Sequence, residues 1–271
     1  MILTIDIGNS ATCIGLFNVG TIHPSANGLP LPTNPQRISN KELGGIKSWL
    51  PKEKVKAVMV ASVVPEKNEV FSRVVKGLYD VVPRFIDSSL IKGAYPELGA
   101  DRIANLIGGR ELFGLPLCVI DFGSATTIDV LKQSTVNSQQ STVDGEYGGG
   151  IILPGVEMGL RVLHQDTSLL PEISQEKREP RMSLLGKSTI ECIKSGSYWG
   201  ELCRIQGLME KIKCRGSFPP RRDFAGSTQT VLTKFVCTGG AGELFAKSLG
   251  VKYEPWLTLL GLYFIWEKET E

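Results

Sequence analysis

Two stretches of the chain nearly repeat each other. Ile5-Asp6-Ile7-Gly8-Asn9-Ser10-Ala11-Thr12 returns as Ile120-Asp121-Phe122-Gly123-Ser124-Ala125-Thr126-Thr127. Each copy follows an apolar run (Met1 to Ile5; Leu117 to Ile120) and precedes another (Ile14 to Phe17; Ile128 to Leu131). That pattern predicts strand, tight polar turn, strand, built twice. The turn suits a nucleotide phosphate and its cation. Glycine lets backbone N–H groups approach phosphate oxygens, and an Asp at a strand end can hold Mg²⁺ or its water shell. Two hairpins sharing ordinary turn chemistry would explain either copy alone, because Asp-x-Gly suits many turns. Two copies, each opening one half of the chain, favour phosphate.

The rest of the chain alternates between strand-like and helix-like runs, which implies α/β units. Strands are expected at Ile2–Asp6, Cys13–Val19, Val55–Ser62, Arg84–Ile86, Leu117–Asp121, Thr127–Lys132 and Phe235–Thr238. Helices are expected near Asn40–Trp49, Glu66–Lys76, Asp101–Phe113, Val156–His164, Thr189–Lys213, Glu243–Leu249 and Leu257–Lys268. Gln133–Tyr147 and Cys214–Gly226 read as polar loops, the second with Arg221-Arg222 in a solvated turn. The length of 271 residues fits one large domain or two ordinary ones, and 42% hydrophobic residues supply real cores.

Charge narrows the partners. Thirty basic and 28 acidic residues leave a net charge of +2 with no block of one sign, so no nucleic-acid or membrane partner is expected. The apolar N-terminus lacks a basic leader and is interrupted by Asp6, and Leu257–Trp266 is too short to span a bilayer; the expected location is cytoplasmic. The cysteines lack a C-x-x-C pair. Cys13, Cys118 and Cys237 sit in apolar runs, while Cys192, Cys203 and Cys214 recur every eleven residues, and buried reduced thiols are expected at all six.

Several further motifs bear on chemistry. Gly186-Lys187-Ser188-Thr189 imitates the end of a P-loop, but the required earlier glycine is Arg181 and no strand leads in. Thr238-Gly239-Gly240 reads either as room for a flat ring or ribose or as a strand-to-helix turn. Gly148-Gly149-Gly150 leads into an apolar strand and the stop Pro154-Gly155, as a hinge or a substrate wall. Leu98-Gly99-Ala100-Asp101-Arg102 opens a helix. Asp101 there reads as an N-cap, or as a base that accepts a hydroxyl proton while Arg102 forks onto a substrate carboxylate.

In this order, over nearly the whole chain, the motifs resemble those of the type III pantothenate kinases of the actin/hexokinase/acetate-kinase superfamily. Gly99-Ala100-Asp101-Arg102 between two Asp-x-Gly turns is the specific part. The resemblance implies duplicated ribonuclease-H-like, actin-type ATPase domains, 1–115 and 116–271, with an interdomain ATP cleft. It implies transfer of the γ-phosphate of ATP to pantothenate, the first step toward coenzyme A, with Mg²⁺ and K⁺ or NH₄⁺ as cations. Asp6, Ile7, Gly8, Asn9, Ser10, Ala11, Thr12 and Cys13 would form the first phosphate turn, with Ser124 also touching ATP. Asp101 would be the catalytic proton acceptor, and Tyr95, Gly99, Ala100, Asp101 and Arg102 would bind pantothenate. Asp121 would hold the monovalent cation, and Thr189 would reach pantothenate across a homodimer.

Three positions depart from the family pattern: Ser10 and Ser124 replace threonines, Lys92 stands where a substrate tyrosine is usual with Tyr95 nearby, and Gln133–Tyr147 is long. Two other classes remain open on residues alone: a nucleotide-binding accessory regulator without turnover, and a superfamily kinase for another small hydroxyl or carboxyl substrate.

Overall fold

The computed structural model describes residues 1–19, 30–40, 46–133, 145–173, 183–214, 221–222, 228–229 and 233–270. The chain forms two compact units. One comprises Met1–Leu115, Gln133–Tyr147 and Trp256–Glu271, and the other Pro116–Lys132 and Gly148–Pro255.

The first unit is built on a five-stranded sheet of order β3-β2-β1-β4-β5. Its strands are β1 (Ile2–Ile7), β2 (Ala11–Phe17), β3 (Thr33–Ser39), β4 (Ala57–Ser62) and β5 (Arg84–Phe85). The first three strands run antiparallel as neighbours, and β4 and β5 join parallel to them. Parallel neighbours need a crossover, supplied between β4 and β5 by α2 (Pro65–Tyr79); α1 (Ile46–Trp49) lies between β3 and β4. Phe71 and Val75 of α2 bury into a core with Leu3, Ile5, Ile7, Val58 and Val60. α3 (Ala100–Phe113) also packs against β4.

The second unit repeats the plan. Its sheet has the order β12-β11-β6-β7-β8, from β6 (Leu117–Phe122), β7 (Ala125–Lys132), β8 (Glu146–Pro154), β11 (Lys234–Thr238) and β12 (Lys252–Tyr253). β6 and β7 are antiparallel, and β11 lies parallel to β6 and to β12. Between β8 and β11 run α4 (Val156–Gln165), α5 (Thr189–Cys214) and a two-stranded ribbon of β9 (Arg221–Arg222) with β10 (Thr228–Gln229). The arginine pair therefore stands in a short strand where a turn was expected. α6 (Gly242–Leu249) links β11 to β12, and Phe245 stacks on Phe122 with centroids 4.9 Å apart. Two sheets of one order, three strands and then parallel crossovers, make the duplicated ribonuclease-H-like α/β fold.

The last helix, α7 (Leu257–Thr270), follows the second sheet in sequence but belongs to the first unit. A division by a single cut at 115/116 would place it with the second. Contact between helix backbones ties it to α3. A Cβ at Gly108 would come 2.7 Å from Leu257 O, and one at Gly261 would overlap the backbone of Ala104. Thr258 Oγ1 donates to Asn105 Oδ1 at 2.8 Å across the same seam. With β1 on another side, α7 is buried from Leu257 to Ile265 apart from Thr258, which explains why its sequence is apolar all round. That apolarity is consumed inside the unit and so does not argue for a subunit contact.

Among the described residues no helix is long and apolar enough to cross a membrane. The loops expected at Gln133–Tyr147 and Cys214–Gly226 lie largely outside the described residues. Three of the described thiols depart from expectation: Cys192 and Cys203 are exposed on α5 and Cys13 is intermediate, while Cys118 and Cys237 are buried.

Candidate active site

The two Asp-x-Gly turns occupy equivalent places in their sheets. Asp6 stands in β1 between Cys13 of β2 and Ala61 of β4. Asp121 stands in β6 between Thr127 of β7 and Thr238 of β11. In the first turn Gly8 N donates to Ala11 O at 3.0 Å, and in the second Gly123 N donates to Ala125 O at 3.1 Å. The turns differ in length. Ile7 pairs with Thr12, leaving four residues in the loop, whereas Phe122 pairs with Thr126, leaving three. Thr12 therefore corresponds to Thr126 rather than to Thr127. Both hydroxyls are buried and engaged: Thr12 Oγ1 with Asn40 Oδ1 at 3.1 Å, Thr126 Oγ1 with Glu201 Oε1 at 2.7 Å.

Two glycine motifs converge on the second turn. A Cβ at Gly155, directly after β8, would overlap the carbonyl of Ser124, and one at Gly239 would overlap Asp121 Oδ1. Gly239 also has φ of +85°, a left-handed conformation that favours glycine. Of the two readings of Thr238-Gly239-Gly240, the strand-to-helix turn is the one built: Ala241 N donates to Phe122 O at 3.2 Å and α6 follows. The Gly148–Gly150 run forms the start of β8, with Gly148 held against Val130 and Lys132. The Cys237 thiol is pushed up to about 12, first by burial and then by the nearby Asp121 carboxylate.

The Gly99–Arg102 motif is shaped by packing at the start of α3. Gly99 is the N-cap, so Asp101 lies within the first turn rather than capping it. Asp101 Oδ1 accepts the backbone N–H of Arg102 at 2.7 Å, and a Cβ at Gly99 would come within 2.6 Å of the same oxygen. The positive end of the helix dipole favours the ionised carboxylate there. Arg102, only 7% exposed, is held between two phenols. Its Nη1 donates to Tyr95 Oη at 2.8 Å and its Nη2 to Tyr147 Oη at 3.2 Å. The two rings meet edge-on, with centroids 5.9 Å apart. Tyr95 is thus the tyrosine beside Arg102, while Lys92 turns to Glu146 at 3.8 Å.

Thr189 begins α5, exposed, in the second unit. The P-loop look-alike before it is a helix start. Glu191 N donates to Ser188 Oγ at 3.3 Å, and Lys187 N donates to Glu191 Oε2 at 2.7 Å, close to a capping box. Gly186 lies so close to Glu191 and Cys192 that a Cβ would overlap their backbone.

Among the described residues no three His, Cys, Asp or Glu side chains gather into a metal cage. One carboxylate per turn, at Asp6 and Asp121, fits a cation that shares its shell with phosphate oxygens and water, as Mg²⁺ prefers.

Two residues escaped the sequence reading. Tyr147 is the second residue of β8, after a polar stretch of sequence, and Asn40 was expected only as a helix start. Neither carries a motif, and both act through contacts more than 25 residues away in sequence.

A duplicated ribonuclease-H-like fold with an Asp-x-Gly turn leaving the first strand of each sheet defines the actin-type class of nucleotide-using phosphotransferases. The sequence model of the type III pantothenate kinase family matches residues 2–211. A type III pantothenate kinase of Parafrankia sp. (strain EAN1pec) is 32% identical over 281 residues, covering 100% of this chain and 99% of that protein. One of Chlorobaculum tepidum is 35% identical over 255 residues, covering 92% and 86%. A solved Campylobacter jejuni structure, assigned to the Baf family of transcriptional activators, shares the fold at a TM-score of 0.58 and 19% identity, covering 99% of this chain and 98% of that one. The chain belongs to the type III pantothenate kinase family.

Proposed function

We propose that this kinase transfers the γ-phosphate of ATP to the primary hydroxyl of pantothenate, with Asp101 as the proton acceptor and Arg102 as the carboxylate grip. One observation carries the assignment of roles. A carboxylate at the N-terminus of α3 adjoins a nearly buried guanidinium whose plane two tyrosines fix. Arg102 forks onto the pantothenate carboxylate, and Tyr95, Gly99 and Ala100 line the same corner. The substrate hydroxyl gives its proton to Asp101 as its oxygen bonds to the γ-phosphorus, and the bond to ADP breaks. General-base help of this kind contributes about 10²–10⁴-fold.

The turn from Asp6 to Cys13 presents backbone N–H groups to phosphate, and Ser124 offers a hydroxyl from the second turn. Asp6 would hold Mg²⁺ through its waters and Asp121 a monovalent cation, K⁺ or NH₄⁺. When bound, these ions supply positive charge against the phosphates. Positioning and electrostatics carry most of the catalysis in phosphoryl transfer. The expected location is the cytoplasm.

The homodimer reading rests on the second unit. α4 and α5 border a groove of about 690 Å³ lined by Val156, Val162, Leu163 and Ile193. Leu169 is 91% and Leu185 79% exposed in the segments next to these helices. Exposed apolar side chains beside an apolar groove fit an interface, and Thr189, exposed at the start of α5, would be available to a second copy. A coupled ADP-release assay offering pantothenate, N-acetylglucosamine and acetate tests the substrate. Turnover with pantothenate alone is expected, and turnover with either other acceptor in its place overturns the reading.

A further inference from the structure

We infer that Asn40 is the residue that aims the first phosphate turn, a positioning residue for ATP built into the end of β3. The inference rests on the nucleotide reading of that turn. Asn40 makes four hydrogen bonds, all to the hairpin it faces. Its Nδ2 donates to the carbonyls of Gly8 and Asn9, each at 2.8 Å. Its backbone N donates to Ser10 O at 3.0 Å, and its Oδ1 accepts from Thr12 Oγ1 at 3.1 Å. The amide orientation follows from these partners, since only the nitrogen can serve two carbonyls.

Peptide planarity turns this into a statement about phosphate. In a trans peptide the C=O of one residue and the N–H of the next point in opposite directions. Drawing the carbonyls of Gly8, Asn9 and Ser10 toward Asn40 therefore aims the N–H groups of Asn9, Ser10 and Ala11 the other way. Successive N–H groups directed to one side form the kind of concavity that binds anions. Asn40 also keeps three carbonyl dipoles, which would repel a phosphate, on the opposite side.

The duplication supplies an internal control. Asn40 is the first residue after β3, and Gly155 is the first after β8, the equivalent strand of the second sheet. Gly155 lies against the carbonyls of Gly123 and Ser124 with its backbone alone, and a side chain there would overlap them. The first turn is one residue longer. The added peptide leaves room for a side chain, and Asn40 fills it with donors.

The test separates aiming from mere stability. Asn40→Asp keeps the shape and the acceptor for Thr12 but removes both donors, and Asn40→Ala removes all three side-chain bonds. Each should raise KM for ATP about tenfold, near the worth of one or two net hydrogen bonds at about 1.4 kcal/mol per decade. KM for pantothenate should stay within about twofold. A non-hydrolysable ATP analogue should lose affinity by the same factor in calorimetry, so the result does not depend on turnover. Unchanged analogue affinity with only a lowered melting temperature would overturn the inference, as would equal rises in both Michaelis constants. A wild type that binds the analogue but leaves pantothenate untouched would refute the pantothenate reading, and a tenfold loss of analogue affinity in the Asn40 variants would still uphold the inference.

Discussion

Replacing Arg102 with lysine isolates the grip proposed for it on the substrate acid. Arg102 is 7% exposed, with Nη1 on Tyr95 and Nη2 on Tyr147, so the plane of its guanidinium is set by the protein. Bidentate recognition of a carboxylate needs that plane, and a lysine ammonium, a point charge on a flexible stem, keeps at most one of the two bonds. A hydrogen bond to a charged group contributes about 1.5–3 kcal/mol, so losing one predicts a rise in KM for pantothenate of roughly 10- to 150-fold. KM for ATP should change little. Steady-state kinetics with each substrate varied in turn measures both, and circular dichroism verifies the fold. Pantothenol, which carries an alcohol where pantothenate carries the carboxylate, should be a poor substrate of the wild type. It should lose little more in the variant. Equal losses for pantothenol and pantothenate, or a matching rise in KM for ATP, would refute the placement of the carboxylate on Arg102.

Asp6→Ala should raise KM for ATP by about tenfold or more, as loss of a charged contact implies, and wild-type turnover should be faster in K⁺ or NH₄⁺ than in Na⁺. Asp121→Ala should erase that salt preference, and equal wild-type rates in all three salts would remove the cation from Asp121. Mixing Asp101→Asn with Thr189→Val should restore part of the activity through heterodimers with one intact site, whereas a monomer in sedimentation would end the dimer reading. Maleimide at pH 8 should modify exposed Cys192 and Cys203 and spare Cys118 and Cys237 until the chain unfolds. Because burial raises the Cys237 pKa to about 12, the fold favours the neutral thiol. Its contribution to stability is present below the unfolded thiol pKa and is lost as pH rises through about 12; a mass spectrum showing Cys237 labelled in folded protein would contradict this.

Where one element makes its own case, the sequence is readable. The central strands β1, β6 and β11 are short apolar runs, and the helices from α2 to α7 carry periodic or continuous apolar faces, so their limits were legible to within a few residues. β3 was not, because it is an edge strand in which only Ile38 is buried and Pro35 interrupts the pattern. β8 was legible only in its second half, the apolar run before Pro154; its first half is glycine-rich, and there Gly148 packs against Val130 and Lys132 of β7. The place of α7 depends on Gly108 meeting Gly261 across 153 residues, a contact no local pattern encodes. In the candidate site, the Asp-x-Gly turns stood out because they recur, and Gly99–Arg102 because it resembles a family motif; at Gly8 and Gly99 close approach also disfavours a side chain. Tyr147 and Asn40 were not, since a lone tyrosine or asparagine gains its role only from what folding brings beside it.

The central claim, that Asp101 accepts the hydroxyl proton as pantothenate takes the γ-phosphate of ATP, is tested most directly by one paired measurement. Wild type and Asp101→Asn are incubated with ATP and pantothenate, and the formation of 4′-phosphopantothenate is followed by mass spectrometry. The Asn side chain preserves the shape and still offers an oxygen to the N–H of Arg102, so the fold and the ATP affinity should persist. The rate should fall by about 10²–10⁴-fold. A variant that keeps more than half of the wild-type rate would reduce Asp101 to a first-turn carboxylate that steadies α3, and the account of the chemistry would fail.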